Sequence, residues 1–421
     1  MKILIQNGTV VDPANGFQGQ KDLLIENGIL VEALNGPADK VIDASGLTVI
    51  PGLIDAHCHL REPGLEYRED IVSGTRSAAR GGFTTVACMP NTLPVCDNAA
   101  IVRFIREKAS REGFARVLPI GAVSKGQLGK ELAEIGLMAA EGIVAISDDG
   151  RPVENAEMMR KAMLYASHFK MPVISHCEDL SLAEGGQMNE GYWSTVLGLR
   201  GIPAVAESMM VARECLLAEY LKLPVHIAHI STRSSVELVR QAKAKGVPVT
   251  SETCPHYFTL DESACRGFNT QAKMNPPLRT LDDIEAIIEG LQDGTIDLIA
   301  TDHAPHHQDE KELEFGLANN GIVGFETAFA LGYTFLVKTG RLSLIQWLKT
   351  MTVNPASLFR QDLGTLQPRH PADVAIVDLD EVFRFDRNAM LSKSRNTPYD
   401  GWELSGKICC TICEGRVTYE Q

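Results

Sequence analysis

The chain has 421 residues, 44% of them hydrophobic and 22% charged, a make-up that excludes a largely disordered chain or a fibre. No run of 18 apolar residues lacks a charge, since the nearest, Gly321 to Val337, is interrupted by Glu326; no membrane-spanning helix is expected. Forty basic residues against 54 acidic ones give a net charge of −14, which repels phosphate backbones and argues against a nucleic-acid partner.

Met1 to Gln6 turns polar too early for a signal peptide. The ten cysteines are scattered, so reduced thiols and a cytoplasmic location are expected. Cys410 and Cys413 have a zinc-like spacing but no second pair. Residues three apart on a strand face opposite ways, so both read as structural.

Residues 1–50 read as short strands. Lys2 to Val11 is strand-like. Asp22 to Glu26 and Ile29 to Ala33 flank Asn27-Gly28, a hairpin signal. Val41 to Val49 is a further strand, broken by Gly46. From Pro51 onward apolar runs alternate with helical stretches. The strand candidates are Leu53–His57, Thr84–Cys88, Val117–Ala122, Ile143–Ser147, Val173–His176, Val225–His229, Val247–Thr253 and Leu298–Thr301. Helical stretches between them include 98–112, 156–168, 204–221, 234–245 and 282–290. Eight such units predict a (β/α)8 TIM-like barrel over 51–354. The rival doubly wound sheet lacks an early Gly-x-Gly-x-x-Gly. Strand patterns return at Ala372 to Asp378 and in a closing hairpin over 407–419. Residues 1–50 and 355–421 together therefore predict a small composite β domain, a β-sandwich built from both termini.

In a (β/α)8 barrel the chemistry gathers at the C-terminal strand ends. There the sequence places His57 and His59, Asn91, Asp148 and Asp149, His176, His229 and Asp302. Strand side chains alternate, so His57 and His59 share a face and can grip one metal ion. With His176 and His229 they form a four-imidazole set that suits zinc. His226 falls on the opposite face and reads as structural. Asp302 ends a buried strand, where an ionised carboxylate is costly unless paired or on a metal. Strand parity alone leaves Asp148 and Asp149 both open as a ligand. The polar stretch 307–320 after the eighth strand reads as a lid.

Pro51-Gly52-Leu53-Ile54-Asp55-Ala56-His57-Cys58-His59 resembles the opening signature of the amidohydrolase superfamily. The run His59-Leu60-Arg61-Glu62-Pro63-Gly64 resembles class I dihydroorotase within it. So do the segments 89–92, 147–150, 274–279, 300–306 and 321–326. The resemblance spans nearly the whole chain. It implies an enzyme of pyrimidine (UMP) biosynthesis that interconverts N-carbamoyl-L-aspartate and L-dihydroorotate. The nucleophile would be a hydroxide held between two zinc ions per subunit. It implies His57 and His59 on one zinc and His176 and His229 on the other. Asp149 would be the bridge, and Asp302 both a ligand and the catalytic acid/base. It assigns Arg61, Asn91 and His306 to the substrate carboxylate, and Asn275, Asn320 and Gly321 to the same pocket. A homo-oligomer, and association with aspartate transcarbamoylase as in some relatives, are further implications. Hydantoinases of the superfamily bridge their metals with a carboxylated lysine on strand 4, and residues 142–150 contain no lysine. The competing readings are another cyclic-amide hydrolase, of hydantoinase or allantoinase type, and an inactive subunit that scaffolds the transcarbamoylase.

Overall fold

The computed structural model describes residues 1–421. Eight parallel strands follow one another round a barrel in chain order. They are β1 (Leu53–Cys58), β2 (Phe83–Cys88), β3 (Arg116–Gly121), β4 (Ala145–Ser147), β5 (Val173–Ser175), β6 (Val225–Ile227), β7 (Val249–Thr253) and β8 (Leu298–Ile299). The ring closes just beyond β8, where Cys58 bridges His303 and the His59 N–H donates to the His303 carbonyl at 2.9 Å. Every strand comes from an apolar run in the sequence. β5, β6 and β8 stop one or two residues earlier than the sequence suggests. At the last two the cause is local: His229 (φ +31°) and Asp302 (φ +45°) leave the extended region and end the ladder.

Helices separate the strands where the helical pattern places them, for instance Ala99–Glu112, Ala156–His168, Arg233–Ala244 and Leu281–Asp293. Their starts are capped. The Asn98 side chain accepts from the Ala100 and Ile101 N–H groups. Thr280 and Asp283 form a capping box, worth roughly 1 kcal/mol per cap. Inside the barrel Ala56, Ala87, Ile120, Ala145, Ile174 and Ala300 pack with Phe359. The barrel is a filled core with its working surface on the rim.

The two termini build two further sheets. One has the order Ile29–Val31, Leu23–Glu26, Lys2–Gln6, Lys40–Asp43. The other runs Arg416–Glu420, Glu403–Cys413, Val374–Arg384, Thr48–Pro51, Thr9–Asp12, Phe17–Gln20. The N-terminal Thr48–Pro51 pairs antiparallel with Val374–Val377 of the C-terminal stretch. The two sheets share a core of Ile3, Ile5, Ile25, Val49, Val374 and Ile412, each worth about 1.5–3 kcal/mol of burial. The Asn27-Gly28 hairpin forms, with φ +53° and +85°. Lys2–Val11 is not one strand. Asn7 turns to φ +65°, and a Cβ on Gly8 would lie 2.6 Å from Val49 Cγ2. The chain therefore steps from one sheet to the other between Gln6 and Thr9. No helix is long and apolar enough to cross a membrane.

Candidate metal centre and substrate pocket

Six side chains from five strand ends meet at the barrel mouth. His57 and His59 come from the end of β1, Asp149 from β4, His176 from β5, His229 from β6 and Asp302 from β8. Asp149 lies among all four imidazoles. Its Oδ1 is 3.3 Å from His57 Nε2 and 3.6 Å from both His176 Nδ1 and His229 Nε2. Its Oδ2 is 3.6 Å from His59 Nε2. Asp302 Oδ1 is 3.0 Å from His59 Nε2 and 3.6 Å from His57 Nε2. The neighbouring Asp148 faces elsewhere. It accepts from the Val123 and Ser124 N–H groups at 2.8 and 3.2 Å and from the Ser124 hydroxyl at 2.5 Å. Of the two aspartates that strand parity leaves open, only Asp149 faces the histidines.

Three of the four histidines are held from behind, while His229 Nδ1 is buried without a partner. The His57 Nδ1–H donates to Glu252 Oε1 at 2.7 Å. The His59 Nδ1–H donates to Asn91 Oδ1 at 2.8 Å. The His176 Nε2–H reaches Glu178 Oε2 at 3.4 Å. Each bond fixes a tautomer and turns the opposite ring nitrogen toward the centre. Glu252 is fully buried on β7 and also accepts from His226 Nε2–H at 3.1 Å. Thr250 in turn donates to His226 Nδ1 at 2.8 Å. His226 is therefore off the centre, as its strand face suggests, yet linked to it through Glu252.

The charge balance at the centre suits a cation. Burial works against a charge on His57, but the Asp149 and Asp302 carboxylates outweigh it and hold the ring well above its usual range. Burial likewise opposes ionisation of Asp149, but the His57 charge and hydrogen bonds from His176 and His229 hold it well below. His57 Nε2 and Asp149 Oδ1 are buried with no hydrogen-bond partner. Two groups have ligand atoms close enough to hold one ion: His57, Asp149 and His229, and His57, His59 and Asp302. Such imidazole and carboxylate donors fit divalent metal ions. The first group mixes the two histidine pairs that the resemblance assigns to separate ions.

Beside this centre lies a cavity of about 200 Å³, and Arg61, Asn91, Asn275, His306, Asn320 and Gly321 all line it. Arg61 is 7% exposed. Its Nε donates to the Pro305 carbonyl at 3.1 Å, and its Nη2 faces His306 Nε2 at 3.4 Å. Burial pushes it down only to about 10, so it stays charged at neutral pH. Its acidic sequence neighbours are engaged elsewhere, Glu62 with Lys108 and Glu66 with the Gly64 N–H. Arg61 is thus a buried guanidinium with no carboxylate of its own. Burial pushes His306 down to about 3, leaving it neutral beside Arg61. The Asn275 amide donates to Glu178 Oε2 at 3.1 Å, and its Oδ1 is buried and unpaired.

Two of these residues also have partners within the chain. The Asn91 amide is spent within the centre, on His59 and, at 3.5 Å, on Asp149. The Gly321 N–H donates to the Lys273 carbonyl, and its carbonyl accepts from Asn396 and Lys311. Of the Asn320–Gly321 pair, Asn320 has the backbone left for a ligand. Sequence reasoning passes over Glu252, Glu178, Lys273 and Lys311. The Glu252 signal is present: a carboxylate inside the strand Val249-Thr250-Ser251-Glu252-Thr253 is costly without partners.

A model of the dihydro-orotase-like family matches residues 46–235. A dihydroorotase of Acetivibrio thermocellus is 57% identical over 100% of this chain and 99% of its own. One of Ruminiclostridium cellulolyticum is 56% identical over 99% and 98%. The chain belongs to the dihydroorotase family. Among solved structures, the L-hydantoinase (dihydropyrimidinase) of Arthrobacter aurescens superimposes with a TM-score of 0.89. It is 26% identical and covers 99% of this dihydroorotase-family chain and 96% of its own. Barrel and terminal sheets together are thus shared with a cyclic-amide hydrolase.

Proposed function

We propose that the chain is a dihydroorotase that closes N-carbamoyl-L-aspartate to L-dihydroorotate and reopens it. The carrying observation is Arg61, a buried guanidinium without a carboxylate, beside a metal-binding histidine set in one small cavity. Dihydroorotate presents a ring amide and a carboxylate, and the cavity offers a partner for each. We assign His57, His59, Asp149, His176, His229 and Asp302 as the residues that would hold two zinc ions. Bound there, the ions supply Lewis acidity at the scissile carbonyl and bring the pKa of water toward neutrality.

Asp302, beside His59, takes the proton of the attacking water and passes it to the departing ring nitrogen. Ring closure runs the same path backwards and releases one water. Arg61 binds the substrate carboxylate through paired charge-assisted hydrogen bonds. Neutral His306 stands beside it, and the unpaired Asn275 Oδ1 accepts from a ring N–H. The proposed division is a barrel over 51–354 and a β domain of 1–50 with 355–421, which lends Phe359 to the barrel interior. A cytoplasmic location is supported by the ten free cysteines and by the family resemblance; a homo-oligomer and association with aspartate transcarbamoylase are supported by the resemblance.

The deciding experiment assays the purified chain with each substrate while zinc is quantified in the same sample. Turnover of both with about two zinc ions per chain supports the reading. Hydantoin turnover without dihydroorotate turnover overturns it. Arg61→Met is expected to raise the Michaelis constant for dihydroorotate about tenfold or more, one charge-assisted pair being worth roughly 1.5–3 kcal/mol, with zinc content unchanged.

A further inference from the structure

Lys273 and Lys311 are 6% and 1% exposed, and neither forms an ion pair. The Lys273 Nζ donates to the carbonyls of Phe315, Gly316 and Ala318 at 2.6, 3.2 and 2.8 Å. The Lys311 Nζ donates to those of Asn319, Gly321 and Lys273 at 2.7, 3.2 and 3.3 Å. The loop 315–321 is thus wound round two ammonium groups, with three carbonyl oxygens on each. Burial pushes both groups below the usual lysine value, that of Lys311 down to about 7. The carbonyls oppose that, because only the protonated form has three N–H donors for three acceptors. The Lys273 carbonyl accepts a second bond, from the Gly321 N–H at 2.9 Å.

These bonds join two edges of the cavity. Asn275 lies two residues beyond Lys273, and Asn320 sits between Asn319 and Gly321, whose carbonyls Lys311 holds; both line the pocket. We propose that Lys273 and Lys311 are positioning residues that staple the 315–321 loop to the 273–275 segment and so hold the non-metal edge of the substrate pocket in its binding shape. The stretch 307–320, expected as a lid, is on this reading a fixed wall. The proposal rests on Asn275 and Asn320 facing the substrate, as in the proposed function. Removing the Lys273 ammonium leaves the Phe315, Gly316 and Ala318 carbonyls without a donor, and removing that of Lys311 leaves the Asn319 carbonyl without one, which is costly wherever the carbonyl stays out of water. At the protein surface that cost is relieved by the loop opening to water.

The test uses Lys311→Met and Lys273→Met in the full-length zinc-loaded enzyme. Each is expected to raise the Michaelis constant for dihydroorotate by about tenfold, equivalent to 1.4 kcal/mol. The rate constant kcat should change less than about threefold, since no group acting in the chemical step is altered. Zinc content should be unchanged, and amide hydrogens of residues 318–321 should lose protection from exchange. In Lys311→Ala, propylammonium, which matches the removed chain from Cγ to Nζ, should restore the Michaelis constant. An unchanged Michaelis constant, a loss confined to kcat, or protection equal to wild type overturns the proposal. If neither methionine variant folds, exchange in the wild-type chain decides, and unprotected amides at 318–321 sink the idea. Hydrogen exchange needs no substrate. A wild-type chain inert toward dihydroorotate would therefore remove the proposed function and leave the staple to be judged separately.

Discussion

His57, Asp149 and His229 are buried side chains that face one another, whereas Lys273 and Lys311 are buried side chains whose ammonium groups donate only to backbone carbonyls. The first set reaches the substrate cavity through Asp149 and His229, and the second through Gly321, whose carbonyl Lys311 holds. The first leaves His57 Nε2 and Asp149 Oδ1 without partners. The second fills all three donors of each ammonium from within the chain. Burial makes either kind of charge costly, so the difference lies in how it is offset. The histidine set is completed by something added, the lysine set by the fold. The first is therefore expected to respond to metal, and the second to the integrity of one loop.

The largest expected effect falls on the histidine side. Asp302→Asn keeps an oxygen beside His59 but removes the base. It should lower turnover in both directions by about 10²–10⁴-fold, the usual worth of a general acid–base group. Retention of more than about a tenth of the wild-type rate, measured with each substrate, would move the role to another residue.

Next in size is a contrast between neighbours. Asp149→Ala removes the one carboxylate within 3.6 Å of all four histidines, and the purified protein should come without its metal. Asp148→Ala should keep the metal. It should instead lose about 1–3 kcal/mol of stability, because the Val123 and Ser124 N–H groups lose their acceptor. Metal analysis and thermal melts of the pair settle this, and equal metal loss in both would break the assignment.

Glu252→Gln tests whether the centre is tuned from behind. The amide oxygen can still accept from His57 or from His226, but the carboxylate charge is gone. Metal retention against a chelator should fall about 10–100-fold, the usual cost of losing such an outer partner. Binding of metal at wild-type strength would mean that Glu252 only fills space.

The same contrast explains what was legible in the sequence. The eight strands could be read because each is an apolar run bounded by polar residues. The candidate ligands could be read because His57, His59, His176, His229 and Asp302 are rare residue types at strand ends, where barrel chemistry gathers. Asp148 and Asp149 could not be separated, since one residue of register decides which side chain points inward. The lysine staple left no signal at all. Its acceptors are backbone carbonyls, which every residue carries, so the loop from Phe315 to Gly321 reads only as part of the expected lid. The step between sheets at Asn7-Gly8 was missed for a related reason: the strand pattern runs on either side of it without a gap.

The smallest expected effect is none, and it too depends on the two kinds of buried charge. A centre bridged by a carboxylated lysine needs carbon dioxide when it is assembled, and it needs a lysine whose nitrogen reaches the metals. β4 spans Ala145–Ser147 and is followed by Asp148 and Asp149, so no lysine stands there. The two buried lysines, Lys273 and Lys311, are committed elsewhere, because their nitrogens are enclosed by carbonyl oxygens that would repel a carbamate. Asp149 is a carboxylate already, held ionised by the surrounding histidines, and needs no modification to draw two cations together. Apo-protein reloaded with zinc in bicarbonate-free buffer should therefore recover the same metal content and the same rate as a bicarbonate-supplemented control. A rate that rises with bicarbonate, or an intact mass heavier by one carbon dioxide, would place a lysine at the centre. It would also show that one of the carbonyl cages opens, which would join the two regions this comparison separates.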